Sequence, residues 1–181
     1  MNLKEKQLSH DLVYQNMFMN IYLDEILLPN NKTSKRIYLE HDGAAAVLPI
    51  TCDGRVILIK QFRYPIMKEI IEIPAGKKDT IDESGLLCAK RELEEETGYI
   101  SGDFKKFSDL HSCVGYSSEL IELFVAKDCK QVENPKKGDD DEFIELFLVS
   151  KEEIIELLKS GKVTDAKTLV ALQYYLLEIA K

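Results

Sequence analysis

The chain has 181 residues, of which 45% are hydrophobic and 31% charged, a composition typical of one globular domain with a sizeable core. Its formal net charge of −8 argues against nucleic acid as a partner, because phosphate backbones are bound by basic patches. No apolar run approaches the roughly 18 residues needed to span a membrane, so we expect no membrane partner.

The first predicted strands lie near the amino terminus, where the apolar stretch of a secretory signal is lacking. Residues 10–28 are predicted to be extended, Pro29-Asn30-Asn31 is a turn signal, and Thr33–Glu40 is predicted as a second strand. We therefore expect an N-terminal antiparallel strand extension over residues 1–40, followed by one domain over residues 41–181.

A second group of strands follows. Ala44–Ile50 and Val56–Phe62 are predicted to pair through Cys52-Asp53-Gly54, because Asp-Gly is a strong hairpin signal. Lys68–Ile73 is a further predicted strand, and it ends at Pro74-Ala75-Gly76.

Three helices are predicted in the second half of the chain. The first is Glu83–Thr97, with Gly98 placed where a left-handed residue usually ends a helix. A capping box that begins at Ser150 opens the second helix, which runs through Lys159, and Asp165 caps the third. The apolar face of the third helix comprises Leu169, Leu172, Leu176 and Ile179. The remaining predicted strands are Phe104–Cys113, Leu120–Ala126 and Glu142–Val149.

The cysteines and histidines give little sign of a zinc site. The four cysteines show no C-x-x-C spacing, and the three histidines are scattered along the chain. We therefore expect reduced, mostly structural thiols and a cytoplasmic protein. The cysteines are Cys52, Cys88, Cys113 and Cys129.

Four glutamates occupy the five positions from Glu92 to Glu96, at the carboxyl end of the first predicted helix. At about 100° per residue, Glu92, Glu95 and Glu96 point off one side of that helix. The helix dipole is negative there, and like charges at i,i+4 repel by about 0.2–0.5 kcal/mol, so helix stability alone does not explain the arrangement. A bound divalent cation would remove the conflict, whereas the alternative is a solvated acidic face.

These glutamates belong to a longer pattern: Gly76, six residues, Glu83, seven residues, and then Arg-Glu-Leu-Glu-Glu-Glu-Thr-Gly-Tyr. The pattern resembles the signature of the Nudix hydrolases, in which five residues rather than six separate Gly and Glu. Every fixed position from Glu83 to Tyr99 matches that signature. The resemblance implies an α+β fold, namely an α/β/α sandwich around a mixed β-sheet, and attack of a metal-activated water on a diphosphate bridge.

The resemblance also implies roles for single residues. Glu95 would assist the metal ligands, Arg91 would orient the glutamates, and Glu83 would also buttress the loop before the helix. The implied cofactor is Mg²⁺, with Mn²⁺ as an alternative. The implied metal ligands are the backbone carbonyl of Ala75 and the carboxylates of Glu92, Glu96 and Glu83.

Further segments resemble the branch of this family that contains ADP-ribose pyrophosphatases and nucleoside-diphosphate-sugar hydrolases. The resemblance implies a homodimer that is built by exchange of residues 1–40. It makes Arg63, Glu72 and Tyr116 candidates for substrate binding; the alternatives are a surface arginine at a strand end for Arg63 and a packing residue for Tyr116. The segments are Gln61–Pro65, Glu72–Gly76 and Lys162–Thr168.

Two loops bear on catalysis and specificity. In this branch the catalytic base comes from a late loop, which corresponds here to residues 138–145, and we predict Glu142; the alternative is an acidic flexible loop. Val114 stands where ADP-ribose enzymes typically carry a proline, which leaves room for GDP-mannose or another sugar nucleotide.

We therefore expect a Mg²⁺-dependent enzyme that hydrolyses a nucleoside diphosphate sugar, such as ADP-ribose or GDP-mannose, to a nucleoside monophosphate and a sugar phosphate. One alternative is a Nudix hydrolase for another diphosphate, such as a dinucleoside polyphosphate, a nucleoside triphosphate or a coenzyme. Another is a non-catalytic module that senses a nucleotide. Glu92, Glu95 and Glu96 favour catalysis over sensing.

Overall fold

The computed structural model describes residues 2–16, 19–138 and 142–180. It divides into two compact units. The N-terminal unit comprises Met1–Gly43 together with His111–Leu120, and the main unit comprises Ala44–Leu110 together with Ile121–Lys181.

The N-terminal unit is built on a four-stranded antiparallel sheet in which the third strand pairs with each of the other three. Residues 10–28, predicted to be extended, reverse direction within that interval. The side chain of Asn16 accepts a hydrogen bond from the Met19 backbone N–H at 2.8 Å, and an asparagine is well suited to such a turn. The strands are β1 (Lys6–Gln7), β2 (Asp11–Gln15), β3 (Asn20–Leu27) and β4 (Thr33–Glu40).

The segment His111–Leu120 belongs to this unit because it bonds along β4. The Leu39 N–H donates to the Tyr116 carbonyl at 2.8 Å, and the Ser118 N–H donates to the Leu39 carbonyl at 3.0 Å. The side chain of Ser118 also accepts from the His41 N–H at 2.9 Å.

The main unit contains an eight-stranded sheet. The sheet is mixed, as predicted, but two of its short strands, Ala75–Lys77 and Tyr99–Ile100, were not predicted. β5 is parallel to β11 and antiparallel to β8, whereas β6 is antiparallel to β7 and β12. The strands are β5 (Ala44–Thr51), β6 (Val56–Arg63), β7 (Lys68–Glu72), β8 (Ala75–Lys77), β9 (Tyr99–Ile100), β10 (Asp103–His111), β11 (Leu120–Gln131) and β12 (Ile144–Val149).

Three α-helices accompany this sheet: α1 (Gly85–Thr97), α2 (Lys151–Lys159) and α3 (Ala166–Tyr174). The predicted caps are present, because Ser150 and Glu153 form a capping box and Asp165 accepts from the Thr168 N–H. A π-helical turn, Tyr175–Ile179, extends α3, and a 3₁₀ turn, Tyr64–Ile66, joins β6 to β7. No helix among the described residues is long and apolar enough to cross a membrane.

The helices cover both faces of the sheet. Because side chains alternate along a strand, β5 sends Ala45 and Val47 to one face and Leu48 and Ile50 to the other. The first face packs against Cys88, Ala89 and Leu93 of α1. The second face packs against α2 and α3 through Ile154, Ala171 and Leu172, and the predicted apolar face of the third helix lies there. The α/β/α layering and the α+β class are therefore confirmed.

Two boundaries differ from the predictions in ways that matter for the site. α1 begins at Gly85 rather than Glu83, because the side chain of Ser84 caps the helix by accepting from the Leu87 N–H. Glu83 therefore lies in the loop before the helix. β11 continues past Ala126 to Gln131, because a β-bulge accommodates the polar residues that interrupt the apolar pattern and Cys129 then pairs again with β5.

Candidate active site

The centre of the candidate site is the contact between the carboxyl half of α1 and the short strand β8. Glu96 accepts a hydrogen bond from the Ala75 backbone N–H at 2.8 Å. Gly76 lies directly against Glu92, since a Cβ at Gly76 would be 2.0 Å from Glu92 Oε1. Only glycine permits this approach, which explains its place in the sequence pattern.

Glu92 and Glu96 are both buried, with 8% of each residue exposed. Burial raises the pKa of Glu92 to about 7, although the neighbouring Arg91 guanidinium opposes the rise. Burial raises the pKa of Glu96 to about 8, and the charges of Glu92 and Glu142 add to the increase. Two carboxylates are thus held where their ionised forms lack full compensation from the protein.

Arg91 is the positive centre of the site. Its Nη1 donates to Glu92 Oε1 at 2.6 Å and to Glu95 Oε2 at 3.1 Å. Its Nε lies 3.2 Å from Asp79 Oδ2, and its Nη2 donates to the Lys77 carbonyl at 2.9 Å. One guanidinium therefore ties the acidic face of α1 to the loop that follows β8.

Glu83 holds the same loop from its other end. Its Oε2 accepts from the Asp79 backbone N–H at 2.8 Å and lies 3.5 Å from Arg91 Nη2. Arg91 therefore lies between the carboxylates of Glu83 and Glu92 and contacts both of them. The additional residue between Gly76 and Glu83 is contained in this loop, and the glutamates of α1 keep their common face.

Glu142 lines the same cleft as Glu92 and Glu95 of α1. This cleft has a volume of about 240 Å³. Asp139, Asp140 and Asp141, which precede the predicted base, lie outside the described residues. The cleft is lined by Gly76, Lys77, Asp79, Arg91, Glu92, Glu95, Lys137 and Glu142.

Arg63 and Glu72, two of the predicted substrate-binding residues, contact each other. Arg63 Nε and Nη2 donate to Glu72 Oε2 and Oε1 at 2.8 and 3.1 Å, a bidentate pair. Glu72 is only 2% exposed and is also bonded by Lys167 Nζ at 2.5 Å. Lys167 in turn lies 3.1 Å from Asp165 Oδ1. Glu72 therefore orients Arg63 and Lys167, and it presents almost no surface of its own.

Tyr116 and Val114 belong to the N-terminal unit. Tyr116 is 63% exposed, and its hydroxyl donates to Cys113 Sγ at 3.2 Å. Together with Arg36 and Tyr38 it lines a cleft of about 510 Å³ within that unit. Its contact with substrate stays a prediction.

The carboxylates among the predicted metal donors already have partners within the protein. No group of three or more His, Cys, Asp or Glu side chains forms a metal site among residues 2–16, 19–138 and 142–180. The charge of Glu92 and Glu95 is met by Arg91, and Glu96 bonds to the Ala75 N–H. The donors nevertheless suit a hard divalent cation, because they are buried carboxylates that share one helix face and lack full compensation.

The sequence predictions missed several residues of the site. One of them is Lys167, a cation of which only 8% is exposed. It lies in the third helix, where the sequence predicted only the Asp165 cap and an apolar face. Its partner Glu72 is 95 residues away in sequence, so local periodicity contained no signal for the pair. Lys77 and Lys137 flank the acidic cleft and were ordinary loop lysines in the sequence.

Comparison with known proteins gave a consistent result. The model of the family described as NUDIX domain matches residues 40–172. The chain is 38% identical over 179 residues to an ADP-ribose pyrophosphatase of Bacillus subtilis (strain 168), a match that covers 99% of this chain and 96% of the relative. It is 36% identical over 177 residues to a methanol dehydrogenase activator of Bacillus methanolicus, covering 98% and 95%.

A third relative is a GDP-mannose pyrophosphatase of Escherichia coli (strain K12), which is 32% identical over 147 residues and covers 77% of this chain and 76% of its own length. Among solved structures, the crystal structure of an ADP compounds hydrolase superposes with a TM-score of 0.81 at 22% identity, covering 94% of this chain and 91% of that one. At that identity the superposition supports the fold alone.

Proposed function

Because this chain belongs to the NUDIX domain family, as its sequence pattern predicted, we propose that it hydrolyses the pyrophosphate bond of a nucleoside diphosphate sugar. The products would be a nucleoside monophosphate and a sugar phosphate. Relatives named ADP-ribose pyrophosphatase and GDP-mannose pyrophosphatase match most of the chain and support this substrate class.

The observation that carries the proposal is the acidic cleft, which Glu92, Glu95 and Glu142 line together with Arg91. Burial raises the pKa values of Glu92 and Glu96, and perturbed carboxylates that share one helix face are typical of catalytic sites rather than of sensing modules. The cleft therefore favours catalysis over sensing.

A divalent cation, Mg²⁺ or alternatively Mn²⁺, would be held by Glu92, Glu96 and the Ala75 carbonyl, with Glu83 beyond them, and would supply an acidified water and charge neutralisation. Arg91 holds Glu92 and Glu95 in one orientation. It is thereby a positioning residue rather than a substrate contact.

Glu142 is the proposed base. Its carboxylate lines the cleft beside Glu92 and Glu95, where it can accept the proton of the attacking water. Arg63, fixed in a bidentate pair by Glu72 and 40% exposed at its side chain, is suited to contact an anionic substrate. Glu72 acts through Arg63.

We propose further that the chain is a homodimer that assembles through residues 1–40 and works in the cytoplasm. The whole of β2 is exposed, and Leu12, Val13 and Tyr14 are each about half exposed. A strand with apolar side chains on both faces is typical of a strand that a partner covers. Light scattering of the intact chain should give twice the monomer mass, and Val13→Lys should lower it; a monomeric wild type would contradict the proposal.

The test of the proposed function is a phosphate-release screen with and without Mg²⁺. It covers ADP-ribose, GDP-mannose, UDP-glucose, FAD, diadenosine polyphosphates and nucleoside triphosphates, with Glu92→Gln as the inactive control. Cation-dependent cleavage of a sugar nucleotide is the expected result. Cleavage confined to triphosphates or dinucleotides would instead favour the alternative diphosphate substrates, and no cleavage would favour the sensing module.

The relative named methanol dehydrogenase activator supports a second candidate, the activation of a partner dehydrogenase. The test adds the purified chain to a methanol dehydrogenase assay, with and without Mg²⁺. An increase in dehydrogenase rate that disappears in Glu92→Gln would connect that activity to the same cleft.

A further inference from the structure

The segment that leads from β11 toward Glu142 lies against the carboxyl end of α1. The Val132 N–H donates to the carbonyl of Gly98, the left-handed residue that ends the helix, at 3.0 Å. A Cβ at Gly98 would lie 3.6 Å from the Pro135 side chain. The segment therefore packs against the carboxyl end of α1 from Val132 onward.

Glu94 provides a side-chain anchor for this segment. Its Oε1 accepts from the Lys136 backbone N–H at 3.2 Å, and its Oε2 lies 3.3 Å from Lys136 Nζ. One carboxylate thus fixes both the backbone and the charge of a single loop residue. The sequence pattern predicted no role for Glu94.

The anchor lies next to the cleft. Two residues beyond Lys136, a Cβ at Gly138 would be 3.5 Å from the Glu95 carbonyl oxygen and 3.5 Å from Glu142 Oε2. Lys137 and Glu142 both line the acidic cleft. Gly138 therefore lies near the Glu142 carboxylate, and a shift of Lys136 would move the backbone at Gly138.

We propose that Glu94 is a positioning residue for hydrolysis: through Lys136 it holds the 135–138 segment on the end of α1 and thereby keeps Glu142 facing the acidic cleft. This inference rests on the proposed function, because it requires Glu142 to accept the proton of the attacking water. Glu94 itself touches neither the cleft lining nor Arg91 among the described contacts.

The proposal predicts a loss confined to the chemical step. Glu94→Ala should lower kcat about tenfold, because a misplacement of about 1 Å at a catalytic group can cost about 100-fold. The KM for the sugar nucleotide and the Mg²⁺ concentration for half activation should change less than about twofold. Glu94→Gln should lower kcat less than about threefold, because its amide oxygen can still accept a hydrogen bond from the Lys136 N–H.

Glu133→Ala is the matched control, since Glu133 is an exposed glutamate of the same segment and makes no hydrogen bond or ion pair with the residues that the structure describes. It should keep the wild-type kcat. Lys136→Glu replaces the exposed partner of the Glu94–Lys136 ion pair by a like charge and should lower kcat as Glu94→Ala does. Melting temperatures of all variants should agree within about 3 °C, because exposed ion pairs add little stability.

The decisive experiment measures Glu94→Ala in a Glu142→Gln background by single-turnover kinetics with ADP-ribose or GDP-mannose, whichever the wild type cleaves. If Glu94 acts through Glu142, adding Glu94→Ala to Glu142→Gln leaves the residual cleavage rate of Glu142→Gln unchanged. A further tenfold loss in that background, or a Glu94→Ala kcat equal to that of Glu133→Ala, overturns the inference while the proposed function stands. A wild type that cleaves nothing overturns both.

Discussion

Glu96→Gln separates the chemical role of the acidic helix end from its effect on stability. The substitution keeps the shape and an acceptor for the Ala75 N–H, and it removes the charge. Burial raises the pKa of Glu96 from an ordinary 4.5 to about 8, and only 8% of the residue is exposed. The two pKa values differ by about 3.5 pH units, so at about 1.4 kcal/mol per unit the ionised carboxylate destabilises the metal-free fold by up to about 5 kcal/mol.

The sign of the pH dependence follows from the raised folded-state pKa. The fold binds the proton of Glu96 more tightly than the unfolded chain does, so the contribution of Glu96 to stability is fully present below about pH 4.5 and is lost as the pH rises through about 8. Glutamine has no such dependence. In EDTA, Glu96→Gln should therefore match the wild type near pH 4.5 and be more stable at pH 9.

Thermal unfolding in EDTA at pH 5, 7 and 9 measures this difference. Even one fifth of the upper bound, about 1 kcal/mol, raises the melting temperature by about 2–4 °C in a chain of this size. Added Mg²⁺ should stabilise the wild type and leave Glu96→Gln unchanged, while hydrolysis is lost. Retained turnover in Mg²⁺, or a metal-free melting temperature below that of the wild type at pH 9, would refute the assignment of Glu96 as an uncompensated metal ligand.

Two further predictions concern Gly76 and the cysteines. Gly76→Ala should lower kcat/KM at least about tenfold, because its Cβ would occupy the position of the Glu92 carboxylate; steady-state kinetics at saturating Mg²⁺ checks this, and near-wild-type turnover would contradict the geometry. Iodoacetamide at pH 7.5 should modify exposed Cys52 but neither Cys88 nor Cys129, since burial raises their pKa values to about 12 and 11; mass spectrometry of the folded and urea-unfolded chain provides the comparison.

The main elements of the fold could be predicted because their signals are local. Asp53-Gly54 places a hairpin between two apolar strands, and the capping box at Ser150 places the start of a helix within one residue. The boundary at Glu83 was wrong because Ser84 competes as a cap, and periodicity does not resolve a difference of two residues.

The rest of the site depends on contacts between distant residues. Nothing in the sequence around Glu72 or Lys167 indicates that a 2.5 Å bond joins them, because one residue ends a strand and the other lies in the last helix. The same holds for Glu94 and Lys136, which are 42 residues apart. Such pairs follow from the tertiary fold, so spacing along a strand or helix contains no trace of them.

Gly76 and Arg91 determine how the charge at the acidic end of α1 is distributed. Glycine allows β8 to approach so closely that Glu92 is buried, and burial raises the free-energy cost of its charge. Arg91 offsets part of that cost at Glu92 and Glu95, but it makes no hydrogen bond to Glu96 among the described contacts. The cost of ionisation that the protein leaves uncompensated is therefore greatest at Glu96, which accepts from the Ala75 N–H, and a cation would offset that cost. Ionised Glu96 thus lowers the stability of the metal-free fold, and binding of a cation there would restore it. This arrangement is expected of a site that has to bind metal in order to function.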